Sequence, residues 1–89
     1  MKEIGTFMNL VSLDLSYTGI TDNDLQELRD LQQLQYISLT GNKITNAGLE
    51  YLTELKSLET IHISDTDITL SPDELKEVFP NATVNRSFP

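Results

Sequence analysis

The stretch "LDLSYTGIT", residues 13 to 21, returns as "ISLTGNKIT" at 37 to 45 and again as "IHISDTDIT" at 61 to 69. Leu13, Ile37 and Ile61 stand 24 residues apart, and the same interval separates Leu15, Leu39 and Ile63. It also separates Ile20, Ile44 and Ile68, and then Leu10, Leu34 and Leu58. One apolar skeleton recurring at a fixed period means a stack of like units, none of which can bury its apolar side alone. Within each unit the segment [LI]-x-[LI] alternates apolar and polar residues, the mark of a strand with one buried face.

After each strand comes a short helical pattern. Leu25, Leu28 and Leu31 recur every third residue, as do Leu49, Leu52 and Leu55, which puts one apolar stripe on each helix. "TDND" at 21 to 24 offers side-chain caps for the first. In the third unit "SPDEL" places Ser71 at the N-cap, Pro72 at the first helical position and Glu74 three residues beyond the cap. That is a capping box with a proline start. This helix carries Leu75, Val78 and Phe79 as its apolar set, and Pro80 ends it.

Each unit opens L-x-x-[LI]-x-[LI]-x-x-[TN]-x-I-T, and over nearly the whole chain this resembles the leucine-rich repeat. "TDNDL" and "TNAGL" after the strands are similar to the bacterial class that carries T-D-x-G-L there. The resemblance implies an α/β fold: a leucine-rich-repeat solenoid with parallel β-strands on the concave face and short helices on the convex face. A single domain is expected over 1–89, with a half repeat at 1–9, repeats at 10–33, 34–57 and 58–83, and a C-terminal strand stub at 84–89. The family also places an inward asparagine late in the strand-loop segment, where its amide serves loop backbone groups of neighbouring coils. Asn42 matches that position, while Thr18 and Thr66 hold it in the other units and thin the ladder, since a hydroxyl offers less than a carboxamide.

The two ends read differently. Ile4 and Phe7 in "MKEIGTFMN" align with the helix leucines, so the chain starts on a helix with no strand before it. The first strand would then show an open row of N–H and C=O groups, and self-association through this N-terminal edge is one expectation. A fragment of a longer array, or a short natural gene, is favoured over an obligate dimer. At the other end, alignment on Leu75 puts Val84 where Leu58 and Leu34 stood.

Fourteen Asp and Glu against six Lys and Arg give a net charge of −8. That balance argues against nucleic acid, which needs clustered cations, and against anionic membrane surfaces. It suits solubility and, for a protein partner, a basic one. There is no cysteine. No signal peptide is visible at the N-terminus and no apolar run approaches membrane-spanning length, so a cytoplasmic location is expected. Without a secretion signal, the acceptor triplets at Asn81 and Asn85 read as chance matches.

Polar strand positions line up in rows across the concave face: Ser12–Tyr36–Thr60, Asp14–Ser38–His62, Ser16–Thr40–Ser64 and Tyr17–Gly41–Asp65, with Lys43 beside them. A binding role for this face rests on the resemblance and on its aromatics, which are enriched at contact hot spots. The candidate partner-binding residues are Asp14, Tyr17, Tyr36, Lys43, His62 and Asp65. Asp14, Ser38 and His62 could be drawn as a Ser–His–Asp set, but the face is open and shallow, and neither a glycine elbow nor oxyanion donors accompany it. No cofactor and no metal site is expected, because one histidine and scattered carboxylates lack any calcium-type spacing. The expected function is therefore a non-enzymatic protein–protein interaction module. A structural end piece of a longer array is the alternative, as is an acidic immunity or inhibitor protein masking a basic enzyme.

Overall fold

The computed structural model describes residues 9 to 86. Four strands, β1 (Ser12–Asp14), β2 (Tyr36–Ser38), β3 (Thr60–His62) and β4 (Thr83–Asn85), form one sheet in sequence order. All three pairings are parallel. Between the strands lie a 3-10 helix (Asp22–Leu28) and the α-helices α1 (Asn46–Leu52) and α2 (Pro72–Val78). The expected matches of Ile4 and Phe7 to the helix leucines lie outside the described residues.

The register follows the sequence period where the coils are of equal length. Ser12 pairs with Tyr36 and Tyr36 with Thr60, while Asp14 pairs with Ser38 and Ser38 with His62. The middle residue of each strand turns inward. Ile37 and Ile61 are fully buried, together with Leu39, Ile63, Ile44 and Ile68. Leu25, Leu28, Leu49 and Leu52 from the helices close the same core from the other side.

Three features differ from the expectations. Val84 pairs with Ile61, so it stands on the rung of Leu13 and Ile37 and not on that of Leu34 and Leu58. The third coil is thus one residue shorter than the others from strand to strand, 23 residues from Ile61 to Val84. The stretch from Ile68 to Leu75 is two residues longer than that from Ile44 to Leu49, and the length is recovered in the tight passage from Phe79 to Ala82, where the Ala82 amide bonds the Phe79 carbonyl. Second, Val78 lies outward and is 37% exposed, so Leu75 and Phe79 alone anchor α2. Third, the first helix is wound as 3-10, three residues per turn, which suits leucines at every third position. Asn23 is a poorer α-helix former than Ala47 in the corresponding place of α1.

The entry to α2 is built as its sequence implies. The Glu74 amide donates to Ser71 Oγ at 3.2 Å, and the Ser71 amide donates back to the Glu74 carboxylate at 3.0 Å. The Ser71 amide, with a contribution from its hydroxyl, holds the Glu74 carboxyl below its usual value.

Polar groups tie the coils along two seams. Between the first and second coils, Asn42 Oδ1 accepts from the amides of Thr18, Gly19 and Ile20 at 3.1, 2.8 and 3.3 Å. Its Nδ2 donates to the carbonyls of Leu15 and Leu39 at 2.8 and 3.0 Å. The hydroxyls of Thr18 and Thr66 bond only the carbonyls of Leu15 and Ile63 in their own coils, so the ladder is reduced to its one asparagine. A second seam runs along the helix starts. Asp22 accepts from the Thr45 amide at 2.9 Å and from its hydroxyl at 2.5 Å. One coil later, Asn46 accepts from the Thr69 amide at 2.9 Å and donates to its hydroxyl at 2.8 Å. Gly48 makes room for this: a Cβ there would lie 2.3 Å from the Asp22 carboxylate.

Candidate functional site

The side of the sheet away from the helices carries the polar strand residues. Tyr36 in β2 is half-buried and leans on His62 of β3, with ring centroids 5.3 Å apart and planes tilted by 56°. Adjacent parallel strands lie about 4.8 Å apart. The tilt then lets both rings pack on neighbouring strands, an arrangement that contributes roughly 0.5–1.5 kcal/mol when aromatic pairs are tilted or offset. Thr60 flanks Tyr36 on the same rung.

Asp14, on the rung of His62, is exposed at the end of β1. The Ser16 hydroxyl and amide hold its carboxyl below the usual value, the amide at 2.9 Å, and His62 adds a smaller pull in the same direction. Ser16 and Ser38 share a hydroxyl–hydroxyl bond of 2.7 Å. Ser38 is itself buried at the centre of the sheet, unlike its strand neighbours on that face. Asp14, Ser38 and His62 do stand side by side, but the Ser38 oxygen is engaged by Ser16. This part-buried hydroxyl pair joins the first two coils.

The row Tyr17–Gly41–Asp65 is not part of the flat strand face. All three residues sit in the left-handed region, at φ of 55°, 75° and 55°. They turn the chain out of each strand, and the amides of Tyr17 and Gly41 bond the carbonyls of Thr40 and Ser64 in the next coil. Glycine adopts this conformation freely and aspartate tolerates it, whereas a tyrosine there is strained by about 1–2 kcal/mol. The Tyr17 ring lies flat against the Gly41 backbone, since a Cβ on Gly41 would fall 2.2 Å from ring atoms. Tyr17 nonetheless remains 71% exposed.

This pair yields a direct prediction. Gly41→Ala should destabilise the chain by about 2 kcal/mol, combining left-handed strain with displacement of the ring. In a Tyr17→Ala background the same substitution should cost only about 1 kcal/mol, the backbone part alone. Urea unfolding of the four variants measures the coupling. Equal costs in the two backgrounds would show that the ring does not rest on Gly41.

Of the other residues singled out from sequence, Lys43 is exposed beside Gly41 and is bridged through its backbone to Thr21. Asp65 is exposed on the turn of the third coil. The structure therefore gathers Asp14, Tyr36 and His62 on the strand face and puts Tyr17, Lys43 and Asp65 along its adjoining turn edge. The seam residues Asp22 and Asn46 were not among the sequence candidates. Their signal was present: both follow the threonine of "IT" at the 24-residue period. They resemble ordinary helix caps until the neighbouring coil is in view.

Among the described residues no group of acidic, histidine or cysteine side chains is arranged to hold a metal ion. Among the same residues no helix is long and apolar enough to cross a membrane. A family model described as leucine rich repeat matches residues 8–68. No curated protein matches the chain.

Proposed function

The chain belongs to the leucine-rich repeat family, and on that premise we propose that it is a non-enzymatic module binding a basic protein through the concave strand face. Domains of this family generally mediate protein–protein contacts. The observation that carries the reading is a pair of aromatic features: Tyr36 packed on His62 on the strand face, and Tyr17 held strained yet 71% exposed on the adjoining turn edge. Strain retained at an exposed aromatic is commonly a feature of a working surface. Tyrosine is also a frequent hot-spot residue. Asp14, exposed with its carboxyl favoured in the charged form, and Asp65 on the turn give the face its acidic character. Net charge −8 would speed encounter with a cationic partner and disfavour phosphate backbones and anionic membranes. Masking of a basic enzyme by an acidic inhibitor is the narrower form of this reading.

Quantitative affinity capture on immobilised chain tests it. A specific partner should be retained by the wild type, released by moderate salt, and lost by about tenfold or more with Tyr36→Ala or with the pair Asp14→Lys and Asp65→Lys. Retention unchanged in both variants would overturn the reading.

A further inference from the structure

The middle of the strand face sets one fixed carboxylate beside one fixed ring. Asp14 pairs with Ser38, and Tyr36 stands two residues before Ser38 on the same strand, so Asp14 and Tyr36 are diagonal neighbours on one face. A strand spacing of about 4.8 Å and a two-residue rise of about 6.6 Å put such neighbours roughly 8 Å apart at Cα. One long side chain from outside can touch both. Ser38 between them is small, is 4% exposed and has its hydroxyl bonded to Ser16 at 2.7 Å, so it forms a floor and not an obstacle.

Both flanking groups are held before any partner arrives. Asp14 Oδ1 accepts the Ser16 amide at 2.9 Å, and the Ser16 amide and hydroxyl together favour the charged carboxyl. Asp14 is exposed, and a carboxylate has acceptor sites beyond those Ser16 uses. The Tyr36 ring is propped by His62, with centroids 5.3 Å apart. His62 lies on β3 and Asp14 on β1, on opposite sides of β2, so the prop does not stand between the ring and the carboxylate. None of the four strands contains a lysine or an arginine, so no strand residue supplies Asp14 with a cation of that kind.

We propose that this spot takes an arginine side chain of a protein partner, its guanidinium paired with the Asp14 carboxylate and laid on the Tyr36 ring. The inference rests on the strand-face reading above and narrows it from a basic partner to one side chain at one place. The chemistry selects arginine. A guanidinium is planar, offers parallel N–H groups to a carboxylate and stacks its face on an aromatic ring. A lysine ammonium is a compact, strongly hydrated point charge and cannot make both contacts as well. An exposed ion pair alone contributes little, but the ring adds a second attraction to the same cation. Because the ring and the carboxylate are already positioned, little side-chain freedom is lost on binding. An anionic ligand is repelled by Asp14, and an apolar one would strip water from the carboxylate without replacing it.

The test is titration of the full-length ¹⁵N-labelled chain with acetyl-Gly-Arg-Gly-amide at low ionic strength, where exposed charges are least screened. Saturable amide shifts centred on Asp14, Tyr36, Ser38 and His62 are expected, with a dissociation constant on the order of 10 mM, as suits a single side chain. The lysine peptide should bind about threefold more weakly, and the citrulline peptide, which keeps the shape without the charge, should give no saturable shift. Asp14→Asn should weaken the arginine peptide about fivefold and Tyr36→Leu about threefold. Unchanged amide shifts of Ile61 and Leu49 in each variant certify the fold. No saturable shift up to about 50 mM arginine peptide would overturn the proposal. Equal binding of the lysine or the citrulline peptide would do the same, as would shifts centred on the helix carboxylates. Affinity capture separates this failure from that of the wider reading. A protein partner lost with Tyr36→Ala but retained with Asp14→Asn overturns the arginine site and leaves the strand face standing.

Discussion

Asn42→Ala is expected to destabilise the chain by about 3–5 kcal/mol, a large share of the roughly 5–10 kcal/mol that holds a domain of this size together. The side chain is 3% exposed and contacts backbone groups of two coils. Removing it strands the Ile20 amide and the Leu39 carbonyl in buried surroundings and leaves the Leu15 carbonyl only the Thr18 hydroxyl. Each stranded buried group costs about 1–3 kcal/mol, more than the net worth of the bond that is lost. The matching substitution Thr18→Ala removes a single bond to the Leu15 carbonyl within its own coil and should cost about 1 kcal/mol. Urea unfolding followed by far-UV circular dichroism compares them. If Asn42→Ala proved no worse than Thr18→Ala, the inter-coil seam would not be what joins the first two coils.

The second large effect separates the middle of the stack from its end. Ile37 and Val84 occupy the same rung, but Ile37 is flanked by strands on both sides and is fully buried, while Val84 is half-buried at the sheet edge. Ile37→Ala should cost about 3–4 kcal/mol, since the coils above and below fix the cavity walls. Val84→Ala should cost about 1 kcal/mol, because less area is lost and the end can relax. In a stack where each unit touches only its neighbours, this gradient is the expected form of the stability profile. Midpoints from the same unfolding assay measure it, and equal losses at the two positions would contradict a stack with a soft C-terminal end.

How far the sequence could be read depends on the distance over which each feature is decided. The inward rungs at Leu13, Ile37 and Ile61 were legible because burial repeats with the chain's own period. The capping box at Ser71 and Glu74 was legible because both partners lie within one turn. The rows Ser12–Tyr36–Thr60 and Asp14–Ser38–His62 followed from equal coil lengths. Val84 was misplaced for the converse reason: helix alignment carries no information on how tightly Phe79 to Ala82 turns back to the sheet. The candidate face was half legible, since Tyr36 and His62 were put on one face, though in different rows, yet Tyr17 and Asp65 turned out to sit in left-handed turns.

By itself, then, the sequence determined the repeat, the strands and helices and the core stripe, all of which follow from periodic burial and local hydrogen-bonding chemistry, while the special place of Asn42 came from the family resemblance. Only the tertiary structure decided that Asp22 and Asn46 serve the next coil, that Tyr17 lies on Gly41, and that Arg86 falls on a rung otherwise filled by leucine and isoleucine. Each of these is a contact across 16 to 24 residues of chain or a shift of register. Such contacts exist only once one coil is seated on another, because a side chain's partner there is set by stacking and loop length, not by its neighbours in sequence.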